Sequence, residues 1–245
     1  MKKLLCLFPV LLALPALLPS AAPGGQGSLV IVGGGLDAAR ERVLRRIIEL
    51  GGGTERIRLA IIPAGSIEPA LSGRENAADF IGQGVPAERV RVFPIAVVDD
   101  PTTTDVDEAQ WKGNGSSEDL ARDMRECTAV YFVGGDQIRY TQALKKADGT
   151  DTPLLRAIRE VHAAGGVIGG TSAGAAMMCD PMICDGYSMK ALTCGAAFAP
   201  ASCPEAKGVS LSTGLGFFRD GLVDQHFLRR GRIGRLLMAL YAVPE

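Results

Sequence analysis

The stretch Gly166–Gly174, GVIGGTSAG, decides how this chain is built. Val167 and Ile168 make a run too short for a helix. Two glycines then break it, and Ser172 follows, flanked by Gly170 and Gly174. An apolar run of this length, closed by glycines and followed by the small-residue stretch AAMM, predicts a strand that bends sharply into a helix. The same grammar recurs upstream. SLVIVGGG (28–35), RIRLAIIPAG (56–65), RVRVFPI (89–95) and TAVYFVGGD (128–136) read as strands, four before the one in the opening stretch. Between them, DAARERVLRRIIEL (37–50) and GRENAADFIGQG (73–84) carry helical spacing, as do QIRYTQALKKA (137–147) and TPLLRAIREVHAAG (152–165). VDDPTTTDVDEAQWKGNGSSED (98–119) is polar and turn-rich and predicts a long loop or partly ordered insertion. Near-continuous apolar strands separated by helices predict an α/β fold, a mainly parallel sheet with helices on both faces. In such sheets function gathers at the carboxyl ends of the strands, where the glycine turns Gly33–Gly35, Gly134–Gly135 and Gly169–Gly170 fall.

The first of these turns must be weighed as a dinucleotide site. GGGLDA (33–38) fits G-x-G-x-x-A after a strand and before a helix. The acid expected at the end of the next strand is missing, and only Glu55, before that strand, is near. A tight strand–helix turn is the better reading.

Residues 1–22, MKKLLCLFPVLLALPALLPSAA, have a basic start at Lys2 and Lys3, an apolar run, and small residues at Ser20 and Ala22. They predict a cleaved secretory signal, and the run is short and interrupted by Pro9 and Pro15, which disfavours a membrane anchor. The expected location is therefore periplasmic or extracellular. Residues 23–245 form one expected domain. Loss of the leader removes two lysines and no acid and leaves a net charge of −3, so neither nucleic acid nor an anionic membrane surface is an expected partner. Export also makes disulfides available. Cys179, Cys184, Cys194 and Cys203 fall in one Gly/Pro/Ala-rich segment and predict one or two bridges, with pairing open, while Cys127 reads as a buried free thiol. No C-x-x-C pair occurs and only His162 and His226 remain after the leader, so no metal is expected.

GTSAG fits G-x-S-x-G, a turn that lifts a serine hydroxyl off the sheet as a nucleophile; the plain alternative is a packing serine. An activated serine needs a base within hydrogen-bond reach. His162 sits at a helix end, whereas His226, in GLVDQHF, is expected at a strand end and is the preferred base. Arg229, Arg230, Arg232 and Arg235 crowd the segment that follows, with no acid among them. Beside a histidine, such arginines suit carboxylate binding through their fork of donors. The residues alone lead to a serine hydrolase for an acidic substrate.

FVGGDQ (132–137), GGTSAGA (169–175) and GLGFFRDGLVDQHFLRRGRIGRLL (214–237), in that order and spacing, resemble the cyanophycinase family of serine peptidases, relatives of aspartyl dipeptidase E. The likeness runs from LVIVGGG to RLLMAL. It implies a fold related to class I glutamine amidotransferases (flavodoxin-like), with Ser172 as nucleophile and His226 as base. It implies an oxyanion hole from backbone N–H groups near Gly135 and of Ala173. Gln137, Asp224, Gln225, Arg230, Arg232 and Arg235 match substrate-pocket residues. The implied substrate is cyanophycin, a poly-aspartate bearing arginine on its side chains, cleaved to β-Asp-Arg dipeptides without metal or organic cofactor. The family's third triad member is a glutamate on a strand after the arginine-rich helix; ALYAVPE (239–245) comes before the place of that strand, so two alternatives stay open, a sequence truncated there and a protein without the acid. Three readings stay open: a secreted cyanophycinase-like exopeptidase, a related peptidase for aspartyl or isoaspartyl peptides, and a non-catalytic binding protein with a degenerate triad. A homodimer is compatible with each.

Overall fold

The computed structural model describes residues 27–36, 40–198 and 208–243; the expected signal segment 1–22, Ala38 of the glycine fingerprint, Cys203 and Glu245 lie outside them. Strand β1 (Ser28–Val32) leads through the first glycine turn to helix α1 (Arg40–Leu50), and β2 (Leu59–Ile62) leads to α2 (Pro69–Gly82) and the short β3 (Val90–Val92). The polar insertion is ordered by two 3₁₀ turns, Glu108–Trp111 and Asn114–Ser116. Buried Glu108 reaches across to accept the Ala70 N–H at the start of α2, at 3.3 Å, where Glu68 makes no side-chain cap. Helix α3 (Glu118–Arg125) comes next, capped by the Ser117 hydroxyl, and sequence reasoning passed over it. Then follow β4 (Ala129–Phe132), α4 (Gln137–Leu144), α5 (Pro153–Ala163), β5 (Val167–Thr171) and the one-turn α6 (Ala173–Ala176).

The five strands pair in the order β1-β5-β4-β2-β3, and all neighbours are parallel. Alternation along β4 shows why both faces need cover. Ala129 and Tyr131 enter a core with α1 and α2, while Val130 and Phe132 enter the opposite core with α3, α4 and α5. Each face holds a T-shaped aromatic pair, Phe80–Tyr131 at 5.2 Å and Phe132–Tyr140 at 5.3 Å. Such pairs contribute about 0.5–1.5 kcal/mol beyond area burial. The Tyr140 hydroxyl donates to Val133 O at 2.7 Å and so pins α4 to the β4 end just before Gly134.

A second sheet, which sequence reasoning did not see, follows. β6 (Met182–Gly186), α7 (Ser188–Cys194), β7 (Ala196–Phe198) and β8 (Val209–Ser212) form it in the order β6-β8-β7, and α8 (Ile233–Ala242) packs on it with α7. Cys184 is disulfide-bonded. Cys179 and Cys194 are free thiols, so of the one or two bridges expected among the four cysteines the two-bridge form does not occur. The Cys179 thiol is instead buried, where it donates to Ala176 O and accepts the Val223 N–H. Burial pushes it up to about 11, and Cys127, half-buried and free, likewise.

Candidate active site

The turn after β5 is tight because two glycines let backbones touch. A Cβ at Gly174 would stand 2.3 Å from Phe132 O, and one at Gly170 would stand 2.3 Å from Gly174 O. No side chain fits either place, so α6 lies directly on the end of β4. Ser172, between them, takes φ 53°, ψ −113°, a strained conformation for a non-glycine residue. Its N–H donates to Val32 O at 2.8 Å, at the carboxyl end of β1.

The segment that brings His226 to this place is laced along the exit of α6. Leu215 N–H donates to Met177 O at 2.7 Å, Phe218 N–H to Met178 O at 2.8 Å, and Val223 N–H to the Cys179 sulfur at 3.4 Å. His226 then donates its N–H to Gly33 O at 2.6 Å and adopts φ 48°. It therefore lies in a turn, not at a strand end as expected, and its backbone is held at Gly33, the residue after β1, next to the carbonyl that holds Ser172. Its Nε2 is 2.9 Å from Ser172 Oγ. The imidazole rests on the first glycine turn: a Cβ at Gly34, itself at φ +98°, would stand 2.4 Å from His226 Cε1. The turn weighed above as a nucleotide fingerprint is the seat of the histidine ring. Three glycines in a row at a strand end were the visible signal.

Burial lowers the His226 pKa from its ordinary value near 6.5, and the charges of Arg230, Arg232 and Arg229 lower it further. The ring is thus neutral near pH 7 and able to accept a proton. Among the described residues no carboxylate hydrogen-bonds to it.

The second glycine turn lies against the first two residues of the site. The Cβ position of Gly134 is 3.7 Å from Ser172 Cβ, and Gly135 follows at φ +131°. Ala173 opens α6, and the first N–H of a helix has no intrahelical partner. The structure thus brings Ser172, Ala173, the Gly134–Gly135 turn and His226 together.

The expected pocket residues divide into two groups. Gln137 is buried, and its amide donates to Ile183 O and Cys184 O at 2.9 and 2.8 Å. Asp224 and Arg235, with side chains 1% and 3% exposed, form a forked ion pair, and Arg235 also donates to Gly186 O at 3.0 Å. These three brace the wall behind the site. Arg232 stands at the position before α8 without a side-chain cap to it, donates to Gln225 O at 2.6 Å, and is lowered to about 10 by burial and then by Arg235. Gln225 Oε1 is buried without a hydrogen-bond partner. Arg230 is exposed beside His226, with no carboxylate paired to it among the described residues.

A serine on a strained strand–helix turn, with a neutral imidazole on its hydroxyl, is the arrangement of α/β serine hydrolases. Comparison with known proteins narrows the class. Residues 106–234 match the family model of peptidase family S51. The chain is 34% identical over 222 residues to a cyanophycinase of Geminocystis herdmanii, covering 90% of this chain and 69% of that protein. It is 33% identical over 224 residues to the cyanophycinase of Synechococcus elongatus and 31% identical over 219 residues to that of Trichormus variabilis. These matches cover 91% and 89% of this chain but 59% and 62% of those proteins, so the chain spans three fifths to two thirds of its curated relatives. A peptidase structure from an acI-B1 Actinobacterium superposes with a TM-score of 0.57 at 20% identity, over 89% of this chain and 76% of that one, a likeness of fold in the flavodoxin-like class. The chain belongs to peptidase family S51, the cyanophycinase family of serine-type peptidases.

Proposed function

We propose that this protein is an exported serine exopeptidase that hydrolyses cyanophycin to β-Asp-Arg dipeptides. Ser172 attacks the scissile carbonyl while His226 takes its proton and returns one to the leaving amine. Backbone N–H groups of Gly135 and Ala173 face the developing oxyanion, a type of contact that supplies about 3–4 kcal/mol per donor. Water then hydrolyses the acyl-enzyme. The observation that carries this reading is the 2.9 Å contact between Ser172 Oγ and His226 Nε2, made with Ser172 on a strained turn. Curated relatives named cyanophycinase support the substrate. So does the local chemistry: Arg230, exposed beside His226 and with no carboxylate paired to it among the described residues, offers its guanidinium to carboxylates. Export is supported by the form of residues 1–22 and by the disulfide at Cys184.

A fluorophosphonate probe should label the full protein, and Ser172→Ala should abolish labelling. A folded protein that takes no label removes the catalytic reading and leaves a binding protein. Clearing of cyanophycin with release of β-Asp-Arg, identified by mass, is the expected outcome of the substrate assay. If free aspartyl or isoaspartyl dipeptides are cleaved and the polymer is not, the second peptidase reading replaces this one.

A further inference from the structure

A cleft of about 440 Å³ opens beside the Gly134–Gly135 turn, lined by Ser66, Asn76, Gly134, Gly135, Asp136 and Arg139 among others. Its volume is in the range of pockets that hold small ligands. One wall is shared with the candidate site, since the Cβ position of Gly134 touches Ser172 Cβ.

The cleft is firmly built. Gly65 O accepts the Asp136 N–H at 2.8 Å and Arg139 Nη1 at 3.0 Å, and a Cβ at Gly135 would stand 2.0 Å from the same oxygen. The loops after β2 and β4 are thereby locked together. Two opposite charges face the space without pairing. Arg139 has one hydrogen bond and no carboxylate within 4.0 Å among the described residues, which leaves most of its five donors unused. Asp136 uses Oδ1 to cap α4 through the Ile138 N–H at 2.9 Å and pairs with no cation among the described residues. Among the expected pocket residues, Asp224 and Arg235 neutralise each other. The Asp136–Arg139 side is the one that keeps a charge of each sign available.

We propose that this cleft is a second substrate subsite, in which Arg139 holds the free α-carboxylate of an arginine in the peptide and Asp136 receives that arginine's guanidinium. The proposal rests on the cyanophycin reading. An arginine joined to aspartate through its α-amine keeps both a carboxylate and a guanidinium, the two charges the cleft complements. The carboxylate and a planar guanidinium can pair through two parallel hydrogen bonds, which makes this contact selective as well as attractive.

The test is calorimetric titration of full-length Ser172→Ala with an oligomer of three β-Asp-Arg units. Adding Arg139→Gln to that background should weaken binding roughly 10- to 50-fold, the size expected for a lost charge-assisted pair. Arg139→Lys should recover part of the loss. Asp136→Asn, which keeps the helix-capping oxygen, should weaken binding about 3- to 10-fold. An oligomer with agmatine in place of arginine lacks the α-carboxylate, and it should bind Ser172→Ala with and without Arg139→Gln within about twofold of each other. Equal affinity of the arginine oligomer for both proteins overturns the subsite. An equal penalty on the agmatine oligomer also overturns it, by showing that Arg139 acts only through Gly65. If Arg139→Gln fails to fold by circular dichroism, Arg139→Lys decides, with the same selective loss expected in smaller degree. The peptidase reading fails separately: a wild-type protein that binds the oligomer by way of Arg139 yet releases no dipeptide keeps the subsite and loses the reaction.

Discussion

His226 and Gly34 form a contact in which one hydrogen atom decides the geometry. At Gly34 a methyl group would occupy the place of the imidazole, so Gly34→Ala must displace the ring from Ser172. Gly35 provides the control. It shares a positive φ, +72°, but its Cβ would meet nothing within 4 Å. Gly35→Ala should cost about 1 kcal/mol of stability through backbone strain and leave fluorophosphonate labelling intact. Gly34→Ala should slow labelling at least about 100-fold. Similar labelling of the two variants would show that the ring is not seated on this turn. The pH dependence belongs to the same scale. Burial first, and then Arg230, Arg232 and Arg229, hold the His226 pKa below 6.5. Labelling needs the neutral ring, so its rate should stay level around pH 7 and fall as acid takes the pH through that lowered value. Arg230→Gln removes the foremost of the neighbouring charges, so the acid limb should move up toward 6.5. A limb that stays in place or moves down would mean that the arginines do not act on the ring. Sequence reasoning placed Ser172 and His226 as partners, but it could not see Gly34. A strand-end glycine is visible in sequence; the ring it must accommodate comes from a distant segment.

The elements were legible wherever local patterning sets them. Each of the five parallel strands was readable from a short apolar run, and α1, α4 and α5 from their spacing. Helix α2 starts at Pro69, earlier than its expected span, because Pro69 is favourable at a first helical position and Glu108 supplies the cap from another part of the chain. The small sheet was missed because its strands hold glycine, serine and cysteine, and their burial depends on α7 and α8. The junction of β5 and α6 gives the firmest prediction at this scale. Gly174→Ala drives a methyl into Phe132 O and should destabilise the protein by more than about 3 kcal/mol in urea unfolding. Gly82→Ala, on α2 with nothing within 4 Å of its Cβ, should be neutral or stabilising by up to about 1 kcal/mol. Equal midpoints for the two would refute the close-packing account of G-x-S-x-G.

On the scale of the molecule, the Asp224–Arg235 pair clasps three parts together: the His226 segment, the start of α8, and, through Gly186 O, the end of β6. The sequence showed both residues but not their pairing, because an isolated run of arginines reads as a binding face. Asp224→Ala would leave a buried guanidinium uncompensated and should cost about 3–5 kcal/mol. The double variant Asp224→Leu with Arg235→Met should be less destabilised than Asp224→Ala, since of the two guanidiniums that face Asp224 only that of Arg232, 3.8 Å away, is then left without its partner. Thermal unfolding of the set checks this, and additive losses would rule out the clasp.

Among the described residues strand β1 is an edge of the main sheet, paired with β5 alone, and its last carbonyl, Val32 O, and that of Gly33 just beyond it anchor the serine and the histidine. The beginning of the described chain therefore waits for a segment near its end before the hydroxyl meets the imidazole. Reactivity is a late event in maturation, acquired only when both ends have closed on each other, and a half-folded chain carries an inert serine. In refolding experiments, the capacity to take fluorophosphonate should lag behind the fluorescence change of Trp111, the protein's lone tryptophan. Labelling that rises in step with, or ahead of, that signal would separate the chemistry from the closure.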